Sequence, residues 1–225
     1  MHSIADWRAA PPMKSNERLT RGRLELLEPE VIHGLRDRLR LGRLLGRFPA
    51  RPVWAAFMFV NAFLTIGILA ALAMLTRRPF VFPSLGPTAF LFFFTPTLPT
   101  ASPRNTIYGH AIGILCGYGA LAIFGLTQAP GAMAAGVSLA RVGAAALSLG
   151  MTGALMILLK SAHPPAGATT LIISLGVVAR PVHLLIIEVA VVLMVLQALA
   201  INRLAGIDYP LWARRTGDSS RVQST

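Results

Sequence analysis

Two short segments of the chain place glycine and threonine just after proline, within apolar sequence. They read Ser84-Leu-Gly-Pro-Thr-Ala-Phe90 and Pro165-Ala-Gly-Ala-Thr-Thr-Leu171. When the two are aligned, Gly86 meets Gly167 and Thr88 meets Thr169. Glycine lets a ligand or another backbone approach closely, and threonine hydroxyls donate hydrogen bonds to anion oxygens. The repeated pattern therefore suggests a site for a small anion.

The predicted helix ends of the two segments also favour an anion. Each segment has room for only about 10 to 12 helical residues, so each is expected to form a broken or half-helix in the membrane. The N-terminus of a helix carries a partial positive charge and unpaired amide hydrogens, which favour an anion. Two such ends meeting near the midplane would form one site. The alternative is that these glycines and threonines only pack helices closely.

Few titratable residues accompany these segments. His163, just before the second segment, either donates to an anion, carries a proton or caps the helix. Arg104 and Lys160 flank the two segments, where they either concentrate anions or anchor the chain at the membrane surface. Glu188 lies inside an apolar stretch, and it either pairs with Arg180 or Lys160, carries a proton, or reaches interfacial water.

The composition excludes several classes of protein. Of 225 residues, 54% are hydrophobic and 13% charged, and the mean hydropathy is +0.62. These values exclude disordered, collagenous and disulfide-rich chains and disfavour a water-soluble enzyme. The single cysteine, Cys116, excludes an intrachain disulfide and a multi-cysteine metal site. No hydrolase, nucleotide-binding or zinc-protease motif is present, so we predict no catalytic residue, no cofactor and no metal.

Four other stretches are long enough to cross a bilayer, which takes about 20 apolar residues. They are Val53–Leu75, Thr106–Leu126, Leu139–Leu159 and Val182–Ile201, the third with Arg141 near one end, where it is expected to snorkel. The short segments, Phe82–Pro96 and His163–Gly176, each fall between two of these stretches. We therefore predict an all-α integral membrane protein with four long transmembrane helices, two half-helices and two repeats.

The repeats are residues 52–127 and 134–205 of a transmembrane domain spanning 52–205. If the half-helices cross with their flanking coil, each repeat crosses three times and the two repeats are inverted. If they are re-entrant, there are four crossings and the repeats are parallel. The positive-inside rule favours the inverted arrangement, because Arg104 and Lys160 then lie on the cytoplasmic side with both termini.

The positive charge of +12 is concentrated before the first span. Residues 36–51 hold six arginines and one aspartate, which fits the positive-inside rule better than nucleic-acid binding. Leucine and arginine alternate at helical spacing over 35–51, so we predict an amphipathic helix on anionic lipid headgroups at the cytoplasmic face. Residues 1–34 and 206–225 are predicted to be tails, the first basic and largely disordered. The expected location is the cell inner membrane.

The run His163-Pro-Pro-Ala-Gly-Ala-Thr-Thr170 resembles the signature of the HPP family of integral membrane proteins. Ser84-Leu-Gly-Pro-Thr-Ala-Phe90, Ser102-Pro-Arg-Asn105 and Gly109-His110 look like the first-half pattern of that family. The resemblance implies four transmembrane helices and, from some plant and cyanobacterial relatives, nitrite transport. The motif positions that it marks are Ser84, Gly86, Thr88, Arg104, Asn105, His163, Gly167 and Thr169.

The resulting expectation is a permease or channel for a small monovalent anion, nitrite for preference. His163 and Glu188 are the candidates for proton coupling. The alternative is a structural or regulatory membrane subunit without transport activity, and a third possibility, a membrane enzyme acting on lipid, is disfavoured by the scarcity of acids and histidines. Glycine- and alanine-rich faces on the second and third spans suggest a homodimer.

Overall fold

The computed structural model describes residues 40–213, and all regular secondary structure in that range is helical. The helices are α1 (Arg40–Arg47), α2 (Ala50–Thr76), α3 (Leu85–Phe94), α4 (Pro103–Ile123), α5 (Ala132–Ala135), α6 (Leu139–Leu158), α7 (Ala166–Ser174) and α8 (Pro181–Ala205), with a 3₁₀ turn at Pro99–Ala101.

The four predicted spans are confirmed as α2, α4, α6 and α8. They contain 27, 21, 20 and 25 residues, and their mean hydropathy lies between 1.4 and 2.8. Their ends follow local capping: Ser102 accepts a hydrogen bond from the amide of Asn105 at the start of α4, and Gly206 ends α8 in the left-handed conformation. The chain is therefore a multi-pass membrane protein with four candidate spans.

The two short segments form α3 and α7, of 10 and 9 residues. Each is about 15 Å long at 1.5 Å per residue, half the thickness of a bilayer core. Prolines stand at the start of both helices. Pro83 lies in the turn before Leu85, and Pro165 precedes Ala166 directly and already has helical backbone angles, which suits the first helical turn.

Glycines four residues apart bring α7 into close contact with α4. A Cβ atom at Gly109 would lie 2.6 Å from His163 Cβ, and one at Gly113 would lie 2.7 Å from the carbonyl oxygen of Ala166. Gly117 has equally little room against α7. Because the contacts advance together along both chains, α7 and α4 run in the same direction. The glycines form a groove in which the half-helix lies.

The C-terminal end of α3 packs against α2 and α8. Asn202 of α8 donates its Nδ2 to the carbonyl oxygen of Phe92 at 3.0 Å. The rings of Phe57 in α2 and Phe93 in α3 make an edge-to-face contact with centroids 6.2 Å apart. Thus α3 ends beside the start of α2 and the end of α8.

The prediction that Arg141 snorkels to the surface is wrong. Its side chain is only 3% exposed, and its guanidinium donates to the carbonyl oxygens of Ser174 at 3.1 Å, Pro130 at 2.8 Å and Ala129 at 3.2 Å. The last carbonyls of a helix have no intrahelical donor, and the helix dipole is negative there. The Arg141 guanidinium supplies hydrogen-bond donors and a positive charge at the end of α7.

The segments at the two ends of the transmembrane domain differ from the expected boundaries. Of the helix predicted at 35–51, the structure describes α1 up to Arg47, and Ala50 and Arg51 already belong to α2. Leu41 of α1 is buried, whereas Phe48 lies beyond the helix and is exposed. The predicted tail 1–34 lies outside the described residues.

The first part of the predicted C-terminal tail packs against the bundle. Tyr209 is fully buried, and its hydroxyl donates to the carbonyl oxygen of Ala101 at 2.6 Å. The carbonyl of Trp212 accepts from the amide of Arg104 at 2.9 Å. Residues 206–213 therefore hold the end of α8 against the start of α4, and 214–225 lie outside the described residues.

Candidate functional site

Four polar side chains meet where the first turns of α3 and α7 approach α4. Thr88 belongs to α3, His110 to α4, His163 to the turn before α7, and Thr169 to α7. All four have no exposed surface. We call these four residues the central cluster, because they join both half-helices to one spanning helix.

The cluster is connected by short contacts. Thr88 Oγ1 lies 3.0 Å from His110 Nε2 and 3.2 Å from His163 Nε2. His110 Nδ1 lies 2.8 Å from Thr169 Oγ1. The two imidazole centroids are 5.0 Å apart, so both Nε2 atoms converge on one hydroxyl oxygen.

The proton positions follow from one backbone contact. His163 Nδ1 lies 2.8 Å from the carbonyl oxygen of Thr100, which only accepts, so Nδ1 carries the proton. In a neutral ring the bare Nε2 of His163 then accepts from the Thr88 hydroxyl. His110 donates its Nε2 proton to the Thr88 oxygen, and its bare Nδ1 accepts from Thr169. The Thr88 hydroxyl has a single proton, which it shares between His163 Nε2 at 3.2 Å and the carbonyl oxygen of Ser84 in its own helix at 3.1 Å.

A cavity of about 580 Å³ opens between the two half-helices beside the cluster. Its lining is almost entirely apolar and comes from both half-helices and the turn before α7: Gly86, Pro87, Phe90, Leu91, Pro164, Pro165 and Ala168. Pro87 and Pro164 are the direct chain neighbours of Thr88 and His163. The cavity therefore lies beside the cluster, but none of the four cluster residues lines it.

The expectation of unpaired amides at the start of α7 is wrong. The amides of Ala166, Gly167 and Ala168 donate to the carbonyl oxygens three residues earlier, at 2.9 to 3.0 Å. Tight turns of this kind satisfy helix-end donors without a ligand. The first amides of α7 are therefore already bonded and do not offer free donors to an anion.

The residues predicted around the half-helix starts have separate environments. Thr88, His163 and Thr169 come together in the central cluster. Gly86 lines the cavity and has open space where a Cβ would stand, whereas a Cβ at Gly167 would touch Leu149 at 3.4 Å.

Ser84 is fully buried at the start of α3. Its carbonyl oxygen lies 3.1 Å from Thr88 Oγ1 and shares the proton of that hydroxyl with His163 Nε2. Among the described residues, its own hydroxyl has no hydrogen-bond partner.

Arg104 and Asn105 make no hydrogen bond to the four residues of the central cluster and lie at the turn that leads into α7. Arg104 donates Nη1 to the carbonyl oxygen of Lys160 at 2.8 Å and Nη2 to that of Leu159 at 3.2 Å. Asn105 donates Nδ2 to the carbonyl oxygen of Ala162 at 3.3 Å. Both side chains position the turn that presents His163.

Glu188 of α8 has no hydrogen-bond partner for either carboxyl oxygen within residues 40–213. Both oxygens are buried. The pairing with Arg180 or Lys160 considered from the sequence is not made there. Glu188 remains a candidate for proton coupling that no other group neutralises in the described structure.

Sequence reasoning missed His110 as a site residue. The available signal was its place directly after Gly109 on a helix with glycines every fourth position, since such a face packs against another helix and buries its polar neighbours. No feature of the sequence indicates the contact between the Thr100 carbonyl and His163, because the two residues are 63 positions apart and meet only in the fold.

Comparison with protein families gives one match. Residues 48–210 match the family model described as HPP, transmembrane region. The match covers α2 to α8 and therefore the cavity and the whole central cluster. Comparisons with curated proteins and with solved structures give no match.

Proposed function

Because the chain belongs to the HPP transmembrane-region family, we propose that it is a permease or channel for a small monovalent anion. The observation that carries the proposal is the convergence of two half-helices on the buried cluster of Thr88, His110, His163 and Thr169. A polar cluster of this kind is costly inside a membrane and marks a functional site by default.

The chemistry of the cluster suits an anion with few oxygens. Two hydroxyls and Nε2 of His110 carry hydrogen-bond donors, and a hydrogen bond to a charged partner contributes about 1.5 to 3 kcal/mol. Nitrite is planar, small and singly charged, so a few donors replace much of its hydration. The sequence resemblance makes nitrite the first substrate to test.

We further propose that the two halves are inverted repeats with six crossings in total. The contact of α3 with the end of α8 supports this, because α8 is tied through Tyr209 to the side where α4 starts. In contrast, α7 runs along α4 and ends beside Arg141 at the start of α6. The half-helices then enter from opposite sides and meet at the cluster, as in other transporters built from inverted repeats.

The proposed location is the cell inner membrane, with both termini in the cytoplasm. The Arg-rich segment before α2 supports this orientation under the positive-inside rule. Anionic lipid headgroups are the proposed partners of that segment. A homodimer remains a prediction from the glycine- and alanine-rich sequence of α6, because the glycines of α4 face α7 within the same chain.

The apolar lining of the cavity favours the alternative, a structural or regulatory subunit. The paired amides at the start of α7 favour it too, because a helix whose first amides are already bonded needs no anion. The two functions differ in whether the protein alone moves an anion.

The test is anion uptake by proteoliposomes that contain the folded protein. Nitrite uptake is compared with that of nitrate, chloride and formate, and protein-free vesicles give the background. We expect saturable nitrite uptake above the background. Absence of flux for every anion, with folded protein verified in the vesicles, contradicts the permease and favours the subunit.

A further inference from the structure

The central cluster contains a point at which two histidines face the same oxygen. His110 Nε2 and His163 Nε2 lie 3.0 and 3.2 Å from Thr88 Oγ1. An anion oxygen that took the place of this hydroxyl would meet both nitrogen atoms at hydrogen-bond distance. Both would then have to donate, since an anion accepts only.

The two histidines differ in their readiness to donate at Nε2. His110 can do so as a neutral ring, because the Thr169 hydroxyl donates to its Nδ1 at 2.8 Å. His163 cannot, because its single proton is held at Nδ1 by the carbonyl of Thr100 at 2.8 Å. Its bare Nε2 carries a lone pair, which repels an anion.

We propose that the anion binds together with one proton, which His163 takes up at Nε2. A hydronium ion of the aqueous phase gives its proton to the lone pair of Nε2 and leaves as water, and the imidazolium keeps its Nδ1 hydrogen bond to Thr100. The anion accepts from Nε2 of His163 and Nε2 of His110. One positive and one negative charge enter, so the net charge of the site does not change. This inference rests on the proposed anion permease.

Among residues 40–213, the polar groups in contact with His163 carry no charge that would substitute for the proton. α3 presents the Thr88 hydroxyl, α7 the Thr169 hydroxyl, and α4 the Thr106 hydroxyl, 3.4 Å from His163 Nδ1, together with His110. The guanidinium of Arg104 is turned to the carbonyls at the end of α6.

Two further charged residues, Lys160 and Glu188, are not placed to substitute for the proton. The Lys160 side chain is exposed beyond the end of α6. Glu188 of α8 has no hydrogen bond to either histidine in the described chain.

The energetic reason for joint binding is desolvation. An isolated anion or an isolated imidazolium loses its hydration in a buried site, which is strongly unfavourable for each ion alone. Bound together they neutralise each other and complete the hydrogen bonds of both. Transport of one proton with each monovalent anion is electroneutral, so a proton gradient drives it and a membrane potential does not.

The experiment measures initial nitrite uptake by proteoliposomes under two separate gradients. In one arm the outside is made acidic and the potential is clamped to zero with valinomycin and equal potassium. In the other arm the pH is equal and a potassium gradient sets the potential. Flux into protein-free vesicles is subtracted, because protonated nitrous acid crosses lipid by itself.

We expect uptake to rise about tenfold per pH unit of external acidification, since the protonated fraction of a mostly neutral imidazole rises tenfold per unit. We expect less than a twofold change with the potential. In His163→Gln, whose amide donates without a proton, the pH dependence should be lost and the potential dependence should appear. His183→Gln, in α8 away from the cluster, is the matched control and should behave as the wild type.

Uptake that follows the potential and ignores the pH gradient overturns the proton inference and leaves the anion permease standing. Absence of uptake in both arms, with folded protein present, overturns the permease and the inference together. If His163→Gln does not fold, the two arms on the unmodified protein still decide the matter.

Discussion

At the level of single residues, the hydroxyl of Thr88 links two histidines that are 53 positions apart in the sequence. It accepts from His110 and donates to His163, so its removal leaves one buried donor and one buried acceptor without a partner. A buried polar group left unpaired costs about 1 to 3 kcal/mol. Thr88 is therefore important for stability as well as for the site.

We predict that Thr88→Val lowers the free energy of unfolding by about 2 to 4 kcal/mol, because two buried groups lose their partner. Thr152→Val is the matched control. Thr152 is equally buried and bonds only to the Ser148 carbonyl in its own helix at 2.7 Å, so its replacement should cost about 1 kcal/mol or less. Thermal unfolding in detergent measures both. Equal losses would mean that Thr88 contributes nothing through the histidines.

Arg141 provides a second prediction at this scale. Arg141→Met keeps most of the apolar side chain but removes the donors to three carbonyls, so unfolding should become easier by about 2 to 4 kcal/mol. Arg180→Met, at an exposed position before α8, should change stability by about 0.5 kcal/mol or less. Chemical denaturation of both variants measures the difference. An Arg141→Met variant as stable as the wild type would contradict the capping role.

The residue scale also shows what the sequence could predict about the site. Thr88, His163 and Thr169 were identified because residue type and a repeated motif are visible in the sequence. His110 and the Thr100 carbonyl depend on which faces of α4 and the 3₁₀ turn meet the cluster, and local sequence does not contain that information. For the same reason, Arg141 was expected at the surface and is buried.

At the level of elements, the four spans and the two half-helices follow from length, hydropathy and proline positions. Bilayer thickness sets the length of the four spans, and prolines mark where α3 and α7 begin. The sequence does not predict whether the first amides of α7 have hydrogen-bond partners, because that depends on how the preceding turn folds. The glycines of α4 determine how closely α7 approaches.

We predict that Gly113→Ala destabilises the protein by about 1 to 3 kcal/mol, the usual cost of overpacking. The new Cβ would lie 2.7 Å from the backbone oxygen of Ala166, so α7 itself would have to move. Gly119→Ala on the same helix has nothing within 4 Å and should be neutral or stabilising, because alanine is the better helix former. Thermal unfolding measures both, and a Gly113→Ala variant that matches Gly119→Ala would contradict the tight α4–α7 contact.

At the level of the whole molecule, the order of span, half-helix and span in each half predicted a duplicated architecture. Both arrangements of the half-helices remained open in the sequence, because charge alone distinguishes them weakly. The contacts at the two ends of α4 now support the inverted arrangement with six crossings. In this arrangement α3 and α7 begin at the same depth in the membrane.

Cysteine labelling tests this arrangement directly, because the single native Cys116 is buried. With six crossings, Arg78→Cys and Val137→Cys should react with an impermeant thiol reagent from the same side of the membrane, and Lys160→Cys from the opposite side. All three positions are exposed. With four crossings, Arg78→Cys and Lys160→Cys would share a side and Val137→Cys would react from the other.

The central claim is that the cluster joining the two half-helices is the site through which an anion passes. Nitrite uptake by proteoliposomes containing Thr88→Val, measured beside Thr152→Val and the wild type at equal amounts of folded protein, tests it most directly. We expect Thr88→Val to reduce the initial rate at least tenfold and Thr152→Val to leave it within twofold. Equal rates for all three proteins would contradict the claim.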